Sequence, residues 1–434
     1  GYQMYDYGDK GNAGLTRPLL PGANGLQTSW LNKKKAEGNA FSGSGFVDIS
    51  LYKGLKLTVN GSTNIDETRT TYLNNQYYGQ FAEAGGTISK YHTRDIAYNL
   101  QQILNYNETF GKHNVGLMVG HEYYQKKYYY LSGTKSKLFS YDNEELGGAV
   151  VDGAGAHSYI DDYNSEGYFM RAQYDYAGRY FVSGSYRRDA SSRFHPDHRW
   201  GNFWSLGARW RMKEENWLKD VDWLHALNLK LSYGTQGNDA LPNNTPYVDQ
   251  YTVNNVNDQP GLVLSFRGNP EVTWEKSKNF NVGVDFGLWN RLDIAAEFFV
   301  KNTDDMLTQR PLAMSEGQPS YIYTNEMAMR NTGVEFEIGA LLMHTDEFTW
   351  RATLNLTHYK NELTRLEEGR DPSGYQTGDF WRKEGGSLYD WYLYRYAGVD
   401  PENGDALYYK DVVDAEGNVT GITTTNNVSE ATYY

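Results

Sequence analysis

Asn279-Phe280-Asn281-Val282-Gly283-Val284-Asp285-Phe286-Gly287-Leu288 alternates without a break and meets a tight turn at Trp289-Asn290. The alternation then resumes from Arg291 to Lys301. In the first line Phe280, Val282, Val284, Phe286 and Leu288 share a face. Asn279, Asn281, Gly283, Asp285 and Gly287 take the other. In the second, Leu292, Ile294, Ala296, Phe298 and Val300 oppose Arg291, Asp293, Glu297 and Lys301. Successive strand side chains point to opposite faces, so each line is a strand with one apolar and one polar face. Soluble strands usually run about five to six residues, whereas about 9–11 tilted residues cross a bilayer. Long alternating strands joined by short turns are the pattern of a transmembrane β-barrel.

The bulk numbers agree once read for a barrel. The 434 residues are 39% hydrophobic with a mean hydropathy of −0.71, too polar for a helical membrane protein. A barrel shows half of its strand residues to water. No apolar run is long enough for a transmembrane helix. The first residues lack the basic region and apolar core of a signal peptide, so the chain is expected to be a mature protein or a fragment. Aromatics make up 15% of the chain, with 38 Tyr. Tyr and Trp favour membrane–water interfaces, having one apolar and one wet end. Cys is absent, which removes disulfides, thiolate metal sites and Cys nucleophiles. A net charge of −13 argues against a nucleic-acid partner.

Further hairpins follow the same rhythm. Val47, Ile49 and Leu51 turn at Tyr52-Lys53-Gly54 into Leu55, Leu57 and Val59. Tyr98–Tyr106 and Val115–Tyr123 flank Phe110-Gly111-Lys112, and Tyr168–Tyr176 and Tyr180–Tyr186 flank Ala177-Gly178-Arg179. Leu206–Met212 goes out and Leu227–Tyr233 returns. Val334–Ile338 pairs with Trp350–Leu356, and a final pair is expected at Tyr392–Val399 and Ala406–Tyr409. This predicts roughly twelve to fourteen strands. Long polar connections are read at Gly237–Val272, Asp304–Met329 and Arg365–Asp390. Short turns at one end and long loops at the other suit an outer-membrane barrel. Residues 1–40 read as an irregular lead-in, a loop or the barrel's start, and 41–434 as barrel.

Chemical motifs are sparse. His195-Pro196-Asp197-His198 lacks a third metal ligand. His121-Glu122 is followed by Gln125 where a zinc protease would need His. Asp400–Asp405 reads as a turn built on Asn403-Gly404 rather than a calcium loop. No catalytic residue, metal or cofactor is assigned. On the polar strand faces, Arg171, Gln173, Asp175, Arg209, Arg211, Arg351 and Asn355 are read as lumen-facing, where side chains tune passage or hold a plug. A soluble sandwich would leave the same residues in solvent.

Five segments in order resemble the SusC/RagA-type TonB-dependent transporters of the Bacteroidetes. Arg187-Arg188-Asp189-Ala190-Ser191-Ser192-Arg193-Phe194, with Trp200-Gly201-Asn202-Phe203, resembles RRDGSSRF…RWG. Leu229–Asn238 resembles LRxSYGxTGN, and Asn269-Pro270-Glu271-Val272-Thr273-Trp274-Glu275 resembles NPxLxWE. Met329-Arg330-Asn331-Thr332-Gly333-Val334-Glu335 resembles MRNxGVE, and Ala397–Asp405 resembles AGVDPxTGxP. The pattern departs at Ala190, where the family has Gly, and at Gln236.

The resemblance implies a barrel of about 22 strands around a plug, energised through TonB and capped by a SusD-like surface lipoprotein. The implied cargo is an oligosaccharide or peptide. This chain is expected to hold barrel only, without the plug, the TonB box or the last strands. Trp274, Trp381, Trp391 and Tyr394 are the candidate ligand contacts, as extracellular-loop aromatics that stack on sugar rings or pack on the lid. An interfacial girdle is the competing role for them. A TonB-dependent siderophore receptor or passive porin is the second reading. A soluble carbohydrate-binding β-protein is the third.

Overall fold

The computed structural model describes residues 25–434 except Tyr78 and Gln318. Contacts divide the chain into two units. The first holds residues up to 106, with 118–169 and 189–192; the second holds 107–117, 170–188 and 193–434. A short helix α1 (Gly25–Leu31) precedes five long strands. These are β1 (Lys33–Tyr52), β2 (Leu55–Asn74), β3 (Thr87–Phe110), β4 (His113–Leu138) and β5 (Ala149–Tyr176). Next come β6 (Tyr180–Ser191), β7 (Trp200–Arg211), β8 (Leu224–Asn238), β9 (Gln250–Val256) and β10 (Gln259–Phe266). Then β11 (Glu275–Leu288), β12 (Leu292–Pro311), β13 (Tyr321–His344) and β14 (Thr349–Arg365) follow. The last are β15 (Tyr375–Thr377), β16 (Phe380–Arg382), β17 (Tyr396–Val399), β18 (Ala406–Val413) and β19 (Val419–Thr425). Twelve strands form one sheet in the order β1-β2-β3-β4-β5-β6-β7-β8-β11-β12-β13-β14. Chain-order neighbours are what tight hairpins dictate.

Turn chemistry explains the hairpins. Ala177 and Gly178 lie at φ 54° and 67°, and Trp289 and Asn290 both at φ 52°. Two successive left-handed residues make the turn whose twist matches paired strands. Trp has no intrinsic ease there. The turn is held from outside, since the Trp289 amide donates to the Trp223 carbonyl at 2.7 Å.

Register turns the alternation into a continuous belt. In the second unit, Ala208 pairs with Leu231, Leu231 with Val282, Val282 with Phe298 and Phe298 with Val334. One row nearer the turns runs Trp210, Leu229, Val284, Ala296, Phe336 and Leu356. In the first unit Ile49, Leu57 and Leu104 form the equivalent row. These apolar rows are not a core. Leu206 is 57% exposed and Leu354 is 52% exposed. Water-facing apolar rows of this extent would be an aggregation surface; against lipid they are the required outer face. Near the turns, Tyr176 stacks on Tyr180 and Tyr180 on Trp210. The Tyr180 hydroxyl and the Trp210 indole both donate to Glu215. Apolar rings with polar tips aimed at a charged turn form one side of an interfacial girdle.

The buried cores sit under the loops instead. Phe194, Phe203, Leu241, Phe266, Val272, Trp274 and Tyr323 form one cluster. Met327, Leu363 and Leu366 form another. In the first unit Leu73, Ile88, Leu138 and Ala149 form a third. Long connections can be ordered because they bury apolar side chains of their own.

Four expectations change. The first strand begins at Lys33, ahead of the alternation read from Val47; residues 25–31 are helical, and the first 24 of the lead-in lie outside the described residues. The connection read at Asp304–Met329 is mostly strand, because β12 continues to Pro311 and β13 starts at Tyr321. The connections at Gly237–Val272 and Arg365–Asp390 carry the hairpins β9–β10 and β15–β16. The expected last pair exists as β17 with β18, but these join β19 in a separate three-stranded sheet. Backbone pairing needs only φ/ψ and partners, so strands continue where the side-chain pattern turns polar.

Candidate functional site

On the face opposite the belt, the second unit has a groove of about 650 Å³ near the short turns. Small residues open it: Gly116, Ser183 and Gly207 line it beside Asn107, Asn114, Gln173, Asp175, Arg209 and Lys230. A side chain at Gly116 would collide with the Asn107 amide. Of the seven residues read as lumen-facing, Gln173, Asp175 and Arg209 converge here.

Their roles differ. Asp175 accepts from the Asn114 amide at 2.6 Å and from the Gly178 backbone amide at 2.7 Å. It therefore braces the β5–β6 turn as much as it charges the groove. Lys230 is held by Asp285 at 2.6 Å, and Asn228 lies 3.4 Å from the other Asp285 oxygen. Arg171 precedes Gln173 on the same strand face. Arg211 turns to the hairpin end, donating to the Gly178 carbonyl and to Glu214 at 2.7 Å. Arg351 and Asn355 lie apart from the groove on β14, opposite Leu341 and Glu337. Asn107, Asn114, Ser183 and Lys230 were missed. Ser183 and Lys230 lie within strands the alternation had read, while Asn107 and Asn114 lie just beyond the read strands; which polar residues meet is set by register.

The loop aromatics separate sharply. In the last part of the chain Trp381 and Tyr394 join one ring ladder, and Trp391 joins a second cluster around Phe380. Trp381 packs on Tyr392 with centroids 4.7 Å apart, Tyr392 stacks on Tyr433 at 5.0 Å, and Tyr433 meets Tyr394 at 4.0 Å. Phe380 packs on Trp391 at 4.7 Å and on Tyr389 at 5.3 Å. Trp391 is 65% exposed and Tyr389 is 62% exposed, so the Phe380 cluster offers open rings.

Trp274 is a correction. It is 7% exposed, with Phe194 and Phe203 edge-on at 5.5 and 5.4 Å and its indole donating to the Arg199 carbonyl at 2.8 Å. No ring face remains for a ligand. The motif residues around it do the same work. Asn269 donates to the Tyr323 carbonyl, Thr273 to the His198 carbonyl, and the Asn325 side chain bonds both the amide and the carbonyl of Thr273. Gly201 and Gly237 lie where a Cβ would strike the Phe203 ring. The first three signature segments thus contribute to packing the loops.

His195 and His198 pair separately, with Asp197 and Glu271, each at 3.4 Å. No group of three or more metal-ligating side chains is assembled among the described residues.

The family model for the β-barrel of TonB-dependent receptor-like proteins matches residues 1–433. The TonB-dependent receptor SusC of Bacteroides thetaiotaomicron is 30% identical over 375 residues, 82% of this chain and 36% of that protein. The TonB-dependent receptor P3 of Formosa agariphila is 30% identical over 86% of this chain and 38% of its own length. Among solved structures, the RagAB peptide transporter superposes with a TM-score of 0.83 at 26% identity, over 98% of this chain and 48% of that one. The chain therefore spans well under half the length of these curated relatives.

Proposed function

The chain belongs to the TonB-dependent receptor-like β-barrels, an outer-membrane family of transporters rather than enzymes, and from that premise we propose that it forms the wall of an importer for a large nutrient. The cargo is an oligosaccharide or a peptide. Import is driven through TonB, and a SusD-like surface lipoprotein captures the cargo. The observation that carries this reading is the division of faces. The sheet shows lipid an apolar belt and puts a polar, small-residue groove on the other side, while ordered loops with cores of their own stand at the far end.

Each part has a physical use. The belt suits the sheet to the bilayer, and strand pairing from β1 to β14 satisfies the backbone between those edges. Gln173, Arg209 and Lys230 present water-binding groups to a polar lumen. The open rings of Trp391 and Tyr389, packed on Phe380, give flat apolar surface at the loop end. A sugar's C–H face or a lipoprotein's apolar patch fits such a surface.

The test is a pull-down of the tagged full-length protein from detergent-solubilised outer membranes, with mass spectrometry of what is retained. A co-purifying lipoprotein carrying an oligosaccharide or peptide is the expected result. Recovery of the transporter alone, with uptake of a ferric siderophore, would overturn it.

A further inference from the structure

The first unit carries a feature that none of the signature segments accounts for. On β2 to β5, the face opposite the belt bears a track of tyrosines. The side-chain contacts establish that face. Gln101 and Asn99 of β3 bond Glu122 of β4, Asp95 meets Lys126 at 2.8 Å, and Ser89 meets Thr134 at 2.8 Å. Tyr91 and Tyr130 continue the same parity, at 6.4 Å. Tyr72, directly opposite Ser89 in the register, sets its ring edge-on to Tyr91 at 5.7 Å. On β5, Tyr159 stacks on Tyr130 at 4.9 Å and 25° and also packs on Tyr128 at 6.0 Å. Tyr124 and Tyr163 extend the track at 6.0 Å.

Beside it lies a cavity of about 490 Å³. Its lining includes Thr70, Tyr72, Thr87, Ser89, Tyr91 and Thr134, and every lining side chain is uncharged. On this face Lys34 lies over the Tyr72 ring at 5.1 Å. Within the track, Lys126 lies between Tyr124 and Tyr128 on β4 and is neutralised by Asp95 at 2.8 Å, and Asp161 lies between Tyr159 and Tyr163 on β5. Tyr159 remains 46% exposed.

We infer that this tyrosine track with its hydroxyl-lined cavity is a binding site for a neutral oligosaccharide on the lumen wall. A sugar ring has an apolar C–H face and a rim of hydroxyls. Flat rings take the face, and Thr, Ser, Asn and Tyr groups exchange hydrogen bonds with the rim. A peptide brings charged termini and side chains whose desolvation the cavity's uncharged lining does not offset. The rings pack on one another across the strands, and the side of Tyr159 left open to water is a face that a ligand passing along the wall can cover. The inference rests on the import reading and narrows its cargo to carbohydrate.

The test uses the full-length transporter in detergent and calorimetric titration with malto-, cello-, laminari-, manno- and xylo-hexaose and a mixed decapeptide. Variants are Tyr130→Ala, Tyr159→Ala, Tyr130→Leu and Tyr130→Phe, each checked for folding by heat-dependent gel migration. At least one hexasaccharide is expected to bind saturably. Kd should rise about tenfold or more in the Ala and Leu variants, a loss of the size one good contact supplies, and stay near the parent value in Tyr130→Phe. A Tyr130→Leu protein with parental affinity would overturn the site, as would binding of the decapeptide with none of the hexasaccharides, or of neither. The two readings fail separately. Nutrient uptake that requires TonB, with a Kd indifferent to these tyrosines, removes the site and leaves the importer. Uptake identical with and without the protein removes the importer.

Discussion

The indole nitrogen of Trp274 donates to the backbone carbonyl of Arg199 at 2.8 Å, across 75 residues of sequence. The bond joins the segment before β11 to the segment before β7 and seats the ring between Phe194 and Phe203. We predict that Trp274→Ala loosens this loop core by about 3–5 kcal/mol, the usual range for a large buried aromatic. The change should appear as faster proteolysis between 239 and 272 in the full-length protein. Unchanged cleavage would mean that the loops are held by something else. Trp274→Phe should fall in between, since it keeps the ring but strands the Arg199 carbonyl.

Val282 and Asn281 are neighbours on β11 that face opposite ways. Val282 pairs with Leu231 and Phe298 in the belt, while Asn281 approaches Ser232 at 3.2 Å on the other face. Val282→Arg is predicted to cost about 2–4 kcal/mol in folding into lipid, and Asn281→Arg much less. Urea titration in vesicles measures both. Equal costs would contradict the assignment of the lipid face.

The Lys230–Asp285 pair is short but open to water, with side chains 39% and 26% exposed. Solvent screening keeps such pairs weak, so a double-mutant cycle with Lys230→Ala and Asp285→Ala should give a coupling below about 1 kcal/mol. A coupling of about 3 kcal/mol or more would indicate a dry, buried pair and a closed groove.

Asp414 holds the β18–β19 turn, outside the belt. The Asn418 backbone amide, then its side chain, and the Glu416 and Gly417 amides hold its carboxyl below the usual aspartate range. A depressed folded pKa contributes stability that is full above the unfolded value, about 3.9, and is lost as pH falls through the folded one. Amide exchange at Asn418, corrected for its intrinsic rate, should therefore rise only below about pH 4. Asp414→Asn should remove that dependence. Loosening that began between pH 7 and 5 would assign it to another group.

Much of the architecture was legible in the residues. Strict alternation in Asn279–Lys301 identified strands, their faces and the turn at Trp289-Asn290, and β11 and β12 occupy those positions. The reading ended where apolar alternation ended. Upper β3 to β5 carry Tyr, Lys, Asp and Asn on both faces, so their length could not be seen, although their backbone pairing continues.

The candidate site was less legible. Gln173, Asp175 and Arg209 line one groove, yet Lys230 and Asn114 join them only through the register of neighbouring strands. Trp274, Trp381 and Trp391 look alike in sequence. Burial alone separates the first, a core residue, from the others in the ring ladder and the Phe380 cluster.

By itself the sequence determined the period, the turns and the faces, because these depend on residues one to four apart. Only the tertiary structure decided which loops pack, which polar side chains converge and which tyrosines line up across β2 to β5. Those contacts join residues tens of positions apart, and strand register, a property of paired backbones, sets them.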